Sequence, residues 1–234
     1  MFQFKQFSVD QSNCAMKINT DGVLLGALAE ANDPASILDI GTGTGVIALM
    51  LAQRFISAKI DAVEIDELAA ATAAANFKNS PFADRLTCYP LSLEDYSNGH
   101  PSKRYDLIVS NPPFYINSLH SPEKQKQLAK HADQNFFENM LTDVSNHLSD
   151  AGTCWLILPL QTTVAVKAIA GSVGLVIRKI IHVRSFADKE AHREILALSF
   201  GSHKLEEEQF VIYESAGIYT HQYKHALREF FTIF

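Results

Sequence analysis

The stretch Ala35-Ser-Ile-Leu-Asp39-Ile-Gly41-Thr-Gly43-Thr-Gly45-Val-Ile-Ala-Leu-Met50 decides how the rest of the chain is read. A short run of strand character enters a glycine loop, and an apolar segment of helical length follows to about Phe55. Glycine reaches positive φ without steric cost and lets a ligand approach the backbone, so glycines at a strand-to-helix junction mark a nucleotide-binding turn. Glu64 closes the next strand, predicted over residues 59–65, about where an acid meets a ribose diol. Tight strand–helix packing with no ligand is the competing explanation of these glycines.

The spacing separates two ligand classes. A dinucleotide loop, G-x-G-x-x-G, wants a small third residue, and that position here is Val46. The chain instead reads G-x-G-x-G behind Asp39. An acid beside the loop suits a cationic ligand.

Outward from this loop, strands and helices alternate. An alanine-rich helix is predicted from Asp66 to about Asn79, then strands over 86–89 and 105–110. Helical segments reach about Leu148, followed by an apolar strand over 152–159 and a helix over 161–172. Two strands, 173–184 and 193–201, follow with no helix between them, so they should pair antiparallel at one edge. A further strand over 209–213 and a helix over 220–231 are expected in the tail. The pattern predicts an α/β fold, a doubly wound, mostly parallel seven-stranded sheet with an antiparallel edge strand. Residues 1–34 should add a strand (2–9) and a helix capped by Thr20 or Asp21, packed on the ligand site. Residues 35–234 form the main domain, so the chain is effectively one domain.

Composition narrows the class of protein. Hydrophobic residues make up 47% and charged residues 20% of the chain, ordinary for a globular domain with a full core. No stretch approaches the roughly 20 apolar residues that span a bilayer, so no membrane association is expected. Cys14, Cys88 and Cys154 are scattered and lack metal-ligand spacing, which suits a reducing cytoplasm and no metal. The nine histidines show no ligand spacing either. A monomer is assumed. Net charge is −6, which argues against a broad nucleic-acid footprint but leaves room for a local basic patch. Residues 1–110 hold 13 acids against 8 bases, while Arg178, Lys179, Arg184, Lys189 and Arg193 concentrate positive charge later. That edge is expected to face RNA. Lys124, Lys126, Lys130 and His131 either clamp phosphates near the site or form a solvated helix face. Glu206-Glu-Glu208 is expected in a solvated loop, and Trp155 in the sheet core.

The fourth strand runs straight into Asn111-Pro112-Pro113-Phe114. An exocyclic amine on a purine is a poor nucleophile, because its lone pair is delocalised into the ring. An amide oxygen (Asn111) and a backbone carbonyl (Pro112) can accept its two N–H bonds and turn its lone pair toward an electrophile. Two prolines hold those acceptors rigidly, and Phe114 can stack on a planar base drawn out of its helix. An ordinary Pro-Pro turn with an Asx residue is the structural alternative.

Together the two motifs resemble the amino-methylating class I methyltransferases, with their [Asn/Asp]-Pro-Pro-[aromatic] signature. The stretch Cys14-Ala-Met-Lys-Ile-Asn-Thr-Asp-Gly-Val-Leu-Leu-Gly26 and the tail Tyr219-Thr-His-Gln-Tyr are similar to bacterial valine-tRNA adenine-N6 methyltransferases. The resemblance implies S-adenosylmethionine as cofactor and tRNA as partner. It implies Thr20 and Asp21 near the cofactor's methionine end, Asp39, Gly41, Gly43 and Gly45 around its body, and Glu64 on its ribose. Where the wider family places an aspartate for the cofactor's adenine, this chain has Ser92 and the backbone of Leu93, with Glu94 or Asp95 as substitutes. Guanine in ribosomal RNA, a glutamine side chain, or RNA binding without catalysis are the other functions considered. A nicotinamide oxidoreductase is disfavoured by Val46.

Overall fold

A computed structural model describes residues 1–12, 14, 16–113 and 123–234, with the backbone alone for 123–134. Phe114 and the side chains of Lys124, Lys126, Lys130 and His131 therefore lie outside the described residues. The chain opens with two strands of two residues, β1 (Phe2–Gln3) and β2 (Ser8–Val9), paired antiparallel, where one strand over 2–9 was expected. The reason is aromatic packing. A straight strand would send Phe4 and Phe7 to opposite faces, whereas the turn stacks their buried rings at 4.5 Å.

Helix α1 (Thr20–Leu28) follows, and its cap is Asn19 rather than Thr20 or Asp21. Asn19 Oδ1 accepts from Gly22 N at 2.9 Å, satisfying one of the donors a helix start leaves open. The alternation then runs β3 (Ser36–Ile40), α2 (Val46–Arg54), β4 (Lys59–Val63), α3 (Glu67–Lys78), β5 (Leu86–Tyr89), α4 (Leu93–Gly99) and β6 (Tyr105–Ser110). It continues with α5 (Glu123–His147), β7 (Leu148–Leu158), α6 (Leu160–Ala170), β8 (Val176–Phe186), β9 (Ala191–Ser199), β10 (Glu206–Ser215), β11 (Ile218–Tyr219) and α7 (His221–Leu227).

Nine strands form one sheet in the order β11-β10-β8-β9-β7-β6-β3-β4-β5, two more than expected. The α/β class stands. β9 is antiparallel to both β7 and β8, so the reversed strand lies inside the sheet instead of at its edge. A short connection folds β9 back between its neighbours, and β10 then adds itself parallel to β8. The Glu206–Glu208 run begins that strand rather than a loop. Strand alternation sends neighbours to opposite faces, where Glu208 meets Lys179 at 2.9 Å and Glu207 meets His182 at 3.2 Å.

Apolar residues fill both faces. Trp155, Ile157, Ile195 and Ala197 pack in one core with the residues of α1 and α2, while Leu156, Leu158, Leu196 and Leu198 share the other with α5 and α6. At β3 the strand order reverses, since β3 pairs with β4 on one side and β6 on the other. The connections leaving those strands part at their carboxyl ends and open a crevice.

Candidate active site

The crevice is a cavity of about 530 Å³, well inside the size range of small-molecule sites. Its floor is the glycine loop. Gly41 N and Thr42 N donate to the Val63 carbonyl at 2.9 and 3.1 Å, and Gly45 N donates to the Thr42 carbonyl at 2.8 Å. Glu64 pins the loop from the neighbouring strand: Oε2 accepts from Gly43 N at 2.9 Å and Oε1 from Asp66 N at 3.0 Å. Gly43 has φ +56°, and nothing lies within 4 Å of the place a Cβ would take, so its open side faces the cavity.

Asp39 lies beneath the loop, fully buried. Its Oδ2 accepts from Thr42 Oγ1 at 2.6 Å, and Oδ1 has no hydrogen-bond partner among the described residues. Burial pushes its carboxyl up to about 7, the Thr42 hydroxyl opposing and the Glu64 charge adding to the rise. A carboxyl raised in the folded state holds its proton more tightly there than in the unfolded chain. Its stabilising effect is full below about pH 4 and is lost as pH rises to about 7. Relative to Asp39→Asn, the wild-type Tm should therefore fall across that window in calorimetric scans at matched ionic strength. Parallel curves would mean that Asp39 titrates at the same pH in the folded and unfolded chain.

Asn111 stands at the end of β6, next to the loop. Ser110 Oγ donates to the Ile40 carbonyl at 2.8 Å and ties the two strand ends together. Asn111 Oδ1 is buried in the cavity wall without a partner among the described residues. Its Nδ2 lies 3.7 Å from where a Gly22 Cβ would stand, and the capping Asn19 Oδ1 lies 3.6 Å from the same point. The first turn of α1 is thus the seat on which the amide rests. Pro112 is buried and Pro113 exposed, both on the cavity.

The structure gathers Gly41, Gly43, Glu64, Ser92, Leu93, Asn111, Pro112 and Pro113 around one cavity, and leaves Thr20, Asp21, Asp39 and Gly45 outside its lining. Asp21 turns away to an ion pair with Arg193, Oδ2 to Nε at 2.8 Å. Thr20 is exposed on the first helical turn. Gly45 begins α2 with φ +82°, where a Cβ would lie 2.5 Å from Phe77 Cε1. The Ser92 hydroxyl is engaged as the cap of α4, accepting from Asp95 N at 3.0 Å and donating to Asp95 Oδ2 at 2.7 Å. The Leu93 amide, in the first turn of that helix, has no intrahelical acceptor.

Sequence reading missed one wall. Phe136, Asn139, Met140 and Asp143 line the cavity from α5, spaced i, i+3, i+4 and i+7 on one helix face. That periodicity was the available signal. Ile65, 74% exposed, supplies an apolar flank. Among the described residues the lining carries Glu64, Asp66, Glu94 and Asp143 against the single cation Lys17. Such an electrostatic field suits a cationic ligand and repels a diphosphate.

Three of the five bases in the stretch expected to face RNA are paired with carboxylates. Lys179 is held by Glu30 and Glu208, Arg193 by Asp21, and Lys189 by Asp188. Among the described residues no cluster of three or more His, Cys, Asp or Glu could hold a metal ion, and no helix is long and apolar enough to cross a membrane.

Residues 14–178 match the family model of the methyltransferase small domain, and the chain belongs to that family. Its members' class I fold implies S-adenosylmethionine as methyl donor. Along its whole length the chain is similar to tRNA1(Val) (adenine(37)-N6)-methyltransferases. It is 49% identical to the one from Pedobacter heparinus, covering 100% of this chain and 98% of that protein. The Flavobacterium psychrophilum relative is 43% identical, with 95% of each chain covered. Among solved structures, an Agrobacterium tumefaciens protein described as a predicted O-methyltransferase superposes with a TM-score of 0.69 at 20% identity, covering 90% of this chain and 96% of that one. A ribosomal protein L11 methylase from Lactobacillus delbrueckii gives 0.53 at 15%, covering 77% and 78%. At those identities the likeness speaks for the fold alone.

Proposed function

We infer that this protein is an S-adenosylmethionine-dependent tRNA (adenine-N6)-methyltransferase that modifies adenosine 37, beside the anticodon of a valine tRNA. Full-length similarity to enzymes of that name supports the substrate. The observation that carries the site is Asn111 Oδ1, a buried acceptor without a partner among the described residues, on the same cavity as the glycine loop. An unpaired buried acceptor costs stability. A substrate N–H would satisfy it.

The residues present fit the cofactor. Glu64 would take the ribose hydroxyls, the Leu93 amide and the flank of Ile65 the adenine, and the acidic lining the cationic methionine end. Bound there, S-adenosylmethionine would supply the methyl group, its sulfonium leaving as the neutral thioether S-adenosylhomocysteine, and the methylated amine would release one N6 proton to solvent. Asn111 Oδ1 and the Pro112 carbonyl accept the two N6 hydrogens, localise the nitrogen lone pair and aim it into the cavity. Both acceptors belong to a strand end stiffened by two prolines, so little ordering remains to be done. The enzyme acts where tRNA matures, in the cytoplasm.

Mass spectrometry of nucleosides tests this reading. Incubating unmodified tRNA with the protein and cofactor should yield N6-methyladenosine at position 37 of a valine tRNA. Methylguanosine, or methylation of protein alone, would overturn it.

A cofactor prediction follows from the loop. Glu64→Ala removes a charge-assisted contact to the ribose and both anchors of the loop, at Gly43 N and Asp66 N. Calorimetric titration with S-adenosylhomocysteine should show affinity weakened by about 1.5–3 kcal/mol, roughly ten- to a hundredfold. Wild-type affinity in this variant would remove Glu64 from the site.

A further inference from the structure

The chain has a net charge of −6, and within the basic run over 178–193 Lys179, Lys189 and Arg193 are paired with carboxylates. Helix α7 gathers a second set of basic side chains. His221, Lys224, His225 and Arg228 are exposed at i, i+3, i+4 and i+7, a spacing that lines them along one face. Exposed Lys5 adjoins the helix end, its Nζ donating to the carbonyls of Arg228 and Phe234. Glu229, which pairs with Arg228 at 3.1 Å, is the exposed acid next to this face in sequence.

A helix of seven residues is marginal by itself. This one is bolted to the sheet. Thr220 Oγ1 accepts from Tyr223 N at 3.0 Å and donates to the Val211 carbonyl at 2.6 Å. The Gln222 amide donates to the Gln209 carbonyl and accepts from Val211 N, both at 3.0 Å. Tyr219 stacks on buried Tyr223 at 4.6 Å, and Leu227 and Phe230 fill the core below. These contacts fix the helix, which presents its basic side as a rigid ridge. The same helix packs against α1, whose first turn seats Asn111.

Resting on the tRNA reading above, we propose that the outer face of α7 is a docking ridge for the phosphate backbone of the tRNA whose adenine enters the cavity. Lys224 and Arg228 neutralise phosphates, and His221 and His225 add hydrogen-bond donors between them. The ridge supplies affinity without reading bases, as phosphate contacts do, and it holds the RNA while α1 and the cavity take the target nucleotide.

The test compares wild type, Lys224→Ala/Arg228→Ala, Lys224→Glu/Arg228→Glu and a remote control, Lys59→Ala/Lys78→Ala, on valine tRNA transcripts at several salt concentrations. The alanine pair should flatten the log–log salt slope of tRNA affinity by about 1.4–1.8, from roughly 0.7–0.9 per lost phosphate contact. It should raise KM for tRNA while the rate at saturating tRNA, cofactor affinity and Tm stay at wild type. The glutamate pair should abolish measurable binding at physiological salt, and the remote control should leave the slope alone. Wild-type slopes in both α7 variants, with wild-type enzyme active on tRNA, would overturn the ridge and leave the tRNA reading intact. An equal effect from the remote control would make the change one of net charge, and would overturn it too. A wild-type enzyme that neither binds nor methylates tRNA would overturn both.

Discussion

Asn111→Ala should lower single-turnover methylation of tRNA, at saturating cofactor, by about a hundredfold or more, the usual loss when one preorganised contact to developing charge is removed. The target amine becomes cationic and a stronger donor only as the methyl group moves, so the contact belongs mainly to the transition state. The rate of the chemical step should fall much more than affinity for either substrate. Stability should hold or improve, since the variant deletes a buried acceptor without a partner among the described residues. Near-wild-type turnover would refute the proposed role of the amide, whichever nucleotide is modified.

Gly45→Ala should act on folding instead. At φ +82° an alanine sits in the left-handed region, at about 1–2 kcal/mol. Its Cβ would also lie 2.5 Å from the buried Phe77 ring, and overpacking of that kind costs about 1–3 kcal/mol. The sum is a large part of a domain's stability of about 5–15 kcal/mol. Thermal and urea unfolding should show a marked loss, partly restored by pairing the change with Phe77→Leu, which shortens the opposing side chain. Gly43→Ala carries the strain without the collision. It should unfold closer to wild type and yet bind cofactor poorly, because its Cβ enters the cavity. Equal stability losses in the two variants would mean that the Phe77 contact is soft.

The glycine loop and the Asn-Pro-Pro segment were legible because their chemistry is written in contiguous residues. Three glycines between a strand and a helix, an acid closing the next strand and an amide before two prolines need no tertiary information to be recognised. What failed depended on contacts that residue type alone does not rank, several of them distant in sequence. Leu93–Gly99 is rich in weak helix formers, yet it forms α4. The Ser92 cap and buried Tyr96, whose hydroxyl is shared with Tyr105 and Asp61, hold it. Thr20 and Asn19 are both fair helix caps, and only the contact with Gly22 N chooses between them. The three glutamates at 206–208 are exposed as expected, yet they lie on a strand because β10 pairs with β8. Asp39 sits one residue from the loop in sequence but under it in space, hence fully buried.

The Gln222 side chain has a consequence beyond holding a helix. β11 covers only the far end of β10, pairing at Tyr213 and Ser215, so β10 offers free backbone along its outer margin. There the Gln222 amide stands in for a peptide unit of a missing strand, and Thr220 occupies the carbonyls of Val211 and Ile212. A second molecule seeking to extend the sheet meets hydrogen-bonding groups already taken. Open strand margins of this length invite aggregation unless they are blocked. Here two polar side chains, Thr220 and Gln222, make the margin unreceptive to a further strand.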